Sequence, residues 1–98
     1  MAVTTTFLAE VKKEIGVSFN NLDTQIERLI EAAILDLTAT ADIKTFTSAD
    51  ADALQTGAVI CYVKYMWFND SKYKIAYDDI KEQMAVSGKY RSVMPNEE

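Results

Sequence analysis

The chain of 98 residues has no histidine, one cysteine, one proline and three glycines, and its ten Lys and Arg face fifteen Asp and Glu. Each scarcity excludes something. Without histidine the chain lacks the commonest general base, the usual partner of a nucleophilic Ser or Cys, and the commonest transition-metal ligand. A single cysteine, Cys61, cannot form an internal disulfide, which fits a reducing cytosol. The net charge of −5 argues against a module that grips DNA or RNA, because phosphates are neutralised by clustered Lys and Arg. With so few Gly and Pro, the breakers that remain mark helix ends. No glycine-rich phosphate loop, metal-spaced Cys/His cluster or nucleophile elbow is present. Met1–Phe7 has no basic region followed by an apolar one, so no signal peptide is expected.

What is present reads as an all-α chain of four helices. Phe7, Leu8, Val11 and Ile15 recur at spacings of three and four, giving a first helix over about Thr6–Glu14. Thr4, Thr5 or Thr6 can cap its start, and Gly16 is its stop. A second helix is expected over about Leu22–Ala39, with Leu22, Ile26, Leu29, Ile30, Ala33 and Leu37 as its apolar stripe. Asn20 or Asn21 can cap it, and Asp23 and Glu27 lie near its positive end. Glu27, Arg28, Glu31 and Asp36 take the wetter side. Thr38–Ser48 reads as a loop anchored by Ile43 and Phe46.

A third helix is expected over about 51–69, capped by Ser48 or Asp50. Its segment Ala58–Phe68, AVICYVKYMWF, is apolar or aromatic at every position except Lys64. It would extend about 16 Å as a helix, roughly half a bilayer core, so it is no membrane span. Leu54, Ala58, Cys61, Tyr65 and Phe68 form one stripe. Val59, Tyr62 and Met66 form a second, and Ile60, Val63 and Trp67 a third. Such a helix must be wrapped by the other three or covered in part by another chain. A fourth helix over about Lys72–Val86 carries Tyr73, Ala76, Tyr77, Ile80 and Met84 on one face, with Gly88 as its stop. The expected organisation is one compact helical domain over 1–88 and a polar tail over 89–98.

Asp50, Asp52, Asp78 and Asp79 could in principle pair as acid and base or bind a hard cation. Asp50 and Asp52 sit where capping explains them, and Asp78 and Asp79 are neighbours on a helix and point apart. Cys61 has only Lys64 within a turn, which favours an inert core thiol over a reactive one. Neither a catalytic site nor a cofactor or metal site is expected, and the chain is not read as an enzyme. Aromatics crowd the second half of the third helix, and Tyr65, Trp67 and Phe68 are the candidates for a subunit contact. Tyr90, Arg91, Val93 and Met94 form a short amphipathic element in the tail. It is either a frayed end or a segment that orders on a partner.

Three segments, in this order, resemble the small head–tail connector (adaptor) proteins of tailed bacteriophages and prophages. The first is FLAEVKKEIGV. The second is NNLDTQIERLIEAAILDLTAT, similar to the family's D-x-x-I-x-x-L-I-x-A-A helix at Asp23, Ile26, Leu29, Ile30, Ala32 and Ala33. The third is DADALQTGAVICYVKYMWFND, like the family's long apolar helix that ends in an aromatic and a polar stop. The chain departs from the pattern after Phe68-Asn69, where Asp70 stands and the family often has a basic residue. The resemblance covers roughly residues 6–70.

It implies a structural subunit of a homo-oligomeric ring, dodecameric in the virion and able to be monomeric in isolation. The ring would dock below the portal protein, extend the DNA channel and present a surface to a head-completion, stopper or tail protein. Genomic DNA would pass through the lumen without sequence-specific binding. The implied location is the virion head–tail interface, reached through the bacterial host cytoplasm during assembly, with no membrane partner. The alternative from another class is a small helical DNA-binding regulator. That reading requires a basic recognition helix, whereas the second helix offers Arg28, and Lys72, Lys74 and Lys81 of the fourth are diluted by Asp78, Asp79 and Glu82.

Overall fold

The computed structural model describes residues 3–40 and 46–87. Four helices follow in order: α1 Thr5–Ile15, α2 Asp23–Thr40, α3 Ala53–Phe68 and α4 Ser71–Ser87. No strand occurs among the described residues. The all-α expectation therefore holds, with ends shifted by a residue or two. The second helix continues to Thr40, past the point at which Thr38 was read as the start of a loop.

Local chemistry sets the helix ends. Thr4 is the N-cap of α1, its hydroxyl accepting from the Phe7 N–H at 3.1 Å. Gly16 closes α1 in the left-handed conformation at φ 79°, where a side chain would be strained. The expected caps of α3 are corrected. Asp52, not Ser48 or Asp50, is the N-cap, and it forms a reciprocal capping box with Gln55, both bonds being 2.9 Å. Ser48 instead accepts the Thr4 N–H at 2.8 Å, tying the start of α1 to the approach to α3. Asp50 accepts from the backbone N–H and the hydroxyl of Thr47, which hold its carboxyl below the usual carboxylate range.

Asn69 ends α3 in the left-handed conformation at φ 55°, its N–H donating to the Tyr65 carbonyl. Asp70 then accepts the Lys72 N–H at 3.1 Å. The acid that departs from the family pattern thus serves the first turn of α4.

Helix α3 lies at the centre, packed against α1, α2 and α4. Ala58, Val59 and Val63 are its fully buried apolar side chains. They meet Phe7, Val11 and Ile15 of α1, the Ile26–Leu37 face of α2, and Tyr77 and Met84 of α4 in one apolar cluster. Phe46 enters this cluster from the α2–α3 connection as expected, while Ile43 lies outside the described residues. The α2 stripe is also wider than expected, because Ile34 is buried. Burial of apolar area of this kind is the main favourable contribution to folding.

Candidate functional site

Polar contacts lock the helices together around the core. On one side, Lys12 of α1 is buried; its ammonium donates to Asn20 Oδ1 at 2.8 Å and lies 2.7 Å from Asp23 Oδ1. This fixes the α1–α2 connection against the first turn of α2. Lys64, the one charge in the apolar stretch of α3, reaches Glu14 of α1 at 3.2 Å.

On the other side, Tyr77 of α4 is only 2% exposed. Its hydroxyl donates to Asp36 Oδ2 of α2 at 2.5 Å, and the Lys81 ammonium lies 3.3 Å from the same oxygen. The Tyr77 ring meets Tyr62 of α3 edge-on, with centroids 5.3 Å apart. Burial first, and the Asp36 carboxylate second, push the Tyr77 hydroxyl pKa well above its usual value. Tyr62 shifts the same way for the same two reasons. One carboxylate thus fastens α2 to α4 across the central helix.

Above this lock, Ala32, Leu35, Asp36 and Ala39 of α2 and Tyr62 of α3 line a shallow depression of about 320 Å³. Leu35 is 66% exposed there. A second apolar feature is Phe19, 52% exposed in the α1–α2 connection. Neither Phe19 nor Leu35 was singled out from sequence. Leu35 did carry a signal, because it is apolar yet out of phase with the buried stripe of α2. Phe19 carried a weaker one, as a lone aromatic among Ser18, Asn20 and Asn21.

The expected interface residues divide. Phe68 is 47% exposed at the α3–α4 corner, where its ring meets Tyr73 with centroids 6.0 Å apart. The ammonium groups of Lys64 and Lys72 lie 5.5 and 5.1 Å from the Tyr73 centroid, within cation–π range. Tyr65 is half-buried. Trp67 is also half-buried and packs against the core, so much of its ring is already covered within the chain. Tyr90, Arg91, Val93 and Met94 lie outside the described residues. Cys61 is half-buried, and burial raises its thiol pKa, which lowers its nucleophilicity at neutral pH.

Among the described residues no group of three or more acidic, Cys or His side chains is placed to hold a metal ion. None of the described helices is long and apolar enough to cross a membrane. The basic residues of α4 do not form a recognition face, since Lys74 pairs with Asp78 at 2.8 Å and Lys81 with Asp36. The described residues define a small helical protein with exposed apolar side chains and, beside the Thr4–Ser48 contact, a second shallow depression of about 320 Å³ lined largely by polar groups, among them Thr4, Thr6, Glu10, Ser48 and Thr56.

The comparisons make that class specific. The family model for phage gp6-like head-tail connector proteins matches residues 5–93. The chain belongs to this family. No curated protein and no solved structure matches it. Membership makes it a head–tail connector component of a phage particle, in a family whose role is structural and whose members assemble with portal and tail proteins.

Proposed function

We propose that the chain is the repeating subunit of a ring, dodecameric in the virion, that docks below the portal, extends the DNA channel and receives the next head-completion or tail protein. The observation that carries this reading is the family match over residues 5–93. The four-helix fold and the exposed apolar side chains Phe19, Leu35, Met66, Phe68, Ile75 and Val86 support it. In this reading the domain runs through residue 88. Tyr65, Trp67 and Phe68 contribute to contacts between proteins, and Tyr90, Arg91, Val93 and Met94 of the 89–98 tail dock on the portal. The role is mechanical rather than catalytic.

A dozen copies, each of net charge −5, would give the ring a charge of tens of units before screening. Acids facing the lumen would repel phosphate and let DNA slide. Mixing the protein with its cognate portal and imaging the particles tests the main claim. Ring density on the portal is expected, and bare portals would refute it. Removing Lys89–Glu98 should weaken portal binding without altering the helical circular dichroism spectrum, and undiminished binding would eliminate the docking role of the tail.

A further inference from the structure

We propose that in the free subunit the C-terminal segment of this same chain lies back along the outer face of α4, with Arg91 beside Glu82 and Asp79, Val93 beside Ile75 and Glu97 beside Lys72. This adds a resting place for the tail to the connector reading, and it stands or falls separately from that reading.

The outer face of α4 carries an ordered pattern. Lys72, Ile75, Asp79, Glu82 and Val86 recur at spacings of three and four, and all five are exposed. They form one row on the side of α4 opposite the buried Tyr77 and Met84. Ile75 is 63% and Val86 77% exposed. Among the described residues, Asp79 and Glu82 take part in no ion pair, whereas the neighbouring Asp78 is bonded to Lys74. Read back from the C-terminal end of the helix, the row runs apolar, acidic, acidic, apolar, basic.

Residues 88–98 follow α4 and lie outside the described residues. Their sequence, GKYRSVMPNEE, runs from basic through apolar to acidic, which complements the row when the segment runs antiparallel to the helix. Glycine, the residue at 88, is the type that most readily reverses a chain at a helix end. An extended segment alternates sides, which puts Lys89, Arg91, Val93 and Glu97 on one of them. From Lys89 to Glu97 such a segment spans about 26 Å. Along the helix, Val86 and Lys72 are about 21 Å apart. Each charged group of the segment therefore comes within a long side chain's length of its opposite, and Val93 reaches Ile75.

The chain's own tail is favoured over a second copy by attachment, since a short tether holds it at a millimolar effective concentration. Exposed ion pairs are individually weak, so a partner's surface can take the segment in exchange. While the segment lies on α4, Arg91 and Val93 are withheld from other proteins.

The test uses the full chain with Cys61→Ala and Asn96→Cys, a nitroxide on residue 96, low salt, and protein at about 0.1 mM, well below the effective concentration. Paramagnetic broadening of the α4 backbone amides is read by NMR, and circular dichroism checks the fold of each variant. Broadening is expected to be strongest at residues 72–76 and weaker at 83–87. A tail that leaves the helix gives instead a steady decline from residue 87 towards 71, and that gradient would overturn the proposal. Lys89→Glu with Arg91→Glu should reduce the broadening at Ile75 about fivefold. Adding Asp79→Lys with Glu82→Lys should restore it. A maximum that ignores the first pair of changes, or that the second pair does not restore, would also overturn the proposal. Isotope-labelled chains without nitroxide, mixed with unlabelled chains that carry it, should show no broadening in α4. Broadening there would mean that a second copy supplies the segment, and would refute the contact within one chain. None of these outcomes alters ring density on the portal, so the connector reading is judged separately.

Discussion

Replacing Tyr77 with phenylalanine isolates the bond that joins α2 to α4. Phenylalanine keeps the buried ring and its edge-on contact with Tyr62 and removes only the hydroxyl that donates to Asp36. A hydrogen bond to a charged acceptor contributes about 1.5–3 kcal/mol. The Asp36 side chain is a third exposed and keeps Lys81 nearby, so water and the ammonium take over part of the role. The expected loss is therefore at the low end, about 1–2 kcal/mol. In a domain of this size each kcal/mol lowers the melting temperature by about 4–8 °C.

A pH series separates this bond from general loosening. The folded-state pKa of Tyr77 is raised above that of the unfolded chain. Its contribution is therefore fully present below the unfolded value of about 10 and is lost as pH rises beyond it. Wild type should exceed Tyr77→Phe by a constant margin up to about pH 9, and the gap should close above about pH 10. Thermal melts of both proteins followed by circular dichroism give the gap directly. Equal melting temperatures at neutral pH, or a gap that widens in alkali, would refute the role assigned to the Tyr77–Asp36 bond.

Other substitutions probe the remaining local claims. Gly57 lies inside α3, and an added Cβ would meet only Ile80 Cδ1, at an ordinary 3.9 Å; Gly57→Ala should raise stability by about 0.5–1 kcal/mol in chemical denaturation. Gly16→Ala has open space around it but keeps φ at 79°, so it should cost about 1 kcal/mol through backbone strain alone, visible as a lower urea midpoint at constant slope. Asp52→Ala removes the cap of the central helix and should cost about 1 kcal/mol; a Tm matching wild type would count against the capping box. Lys64→Met should change stability by less than about 1 kcal/mol, since Glu14 is well exposed, and any difference should shrink in high salt.

Much of the fold was legible because helix signals are local. The threefold and fourfold spacing of Phe7, Leu8, Val11 and Ile15, the hydroxyl at Thr4 and the glycine at 16 act within one turn of the chain, and α1 has the face and ends they imply. The stripe of α2 was legible for the same reason. Asp52 as the cap of α3 was not, because Ser48, Asp50 and Asp52 are all suitable cap residues. Two of them were already engaged, Ser48 with Thr4 and Asp50 with Thr47. The surface features were harder still. Leu35 is out of phase with the α2 stripe and Phe19 is a lone aromatic in a polar connection, but Ile34, equally outside the expected stripe, is buried, so the local pattern alone does not tell which of them another helix covers.

The amino-acid sequence by itself determined a small acidic all-α chain, the order of its four helices and its place among connector proteins. These follow from periodicity, caps and segment order, which need no knowledge of who packs on whom. Only the tertiary structure decided how α3 is oriented. A helix apolar on nearly every side has no preferred face of its own. The positions of α1, α2 and α4 around it turn Val59 and Val63 inward and leave Met66 and Phe68 toward solvent. The same packing brings Asp36 to Tyr77 across 41 residues of chain, where the short range of a hydrogen bond makes spatial proximity the only thing that counts.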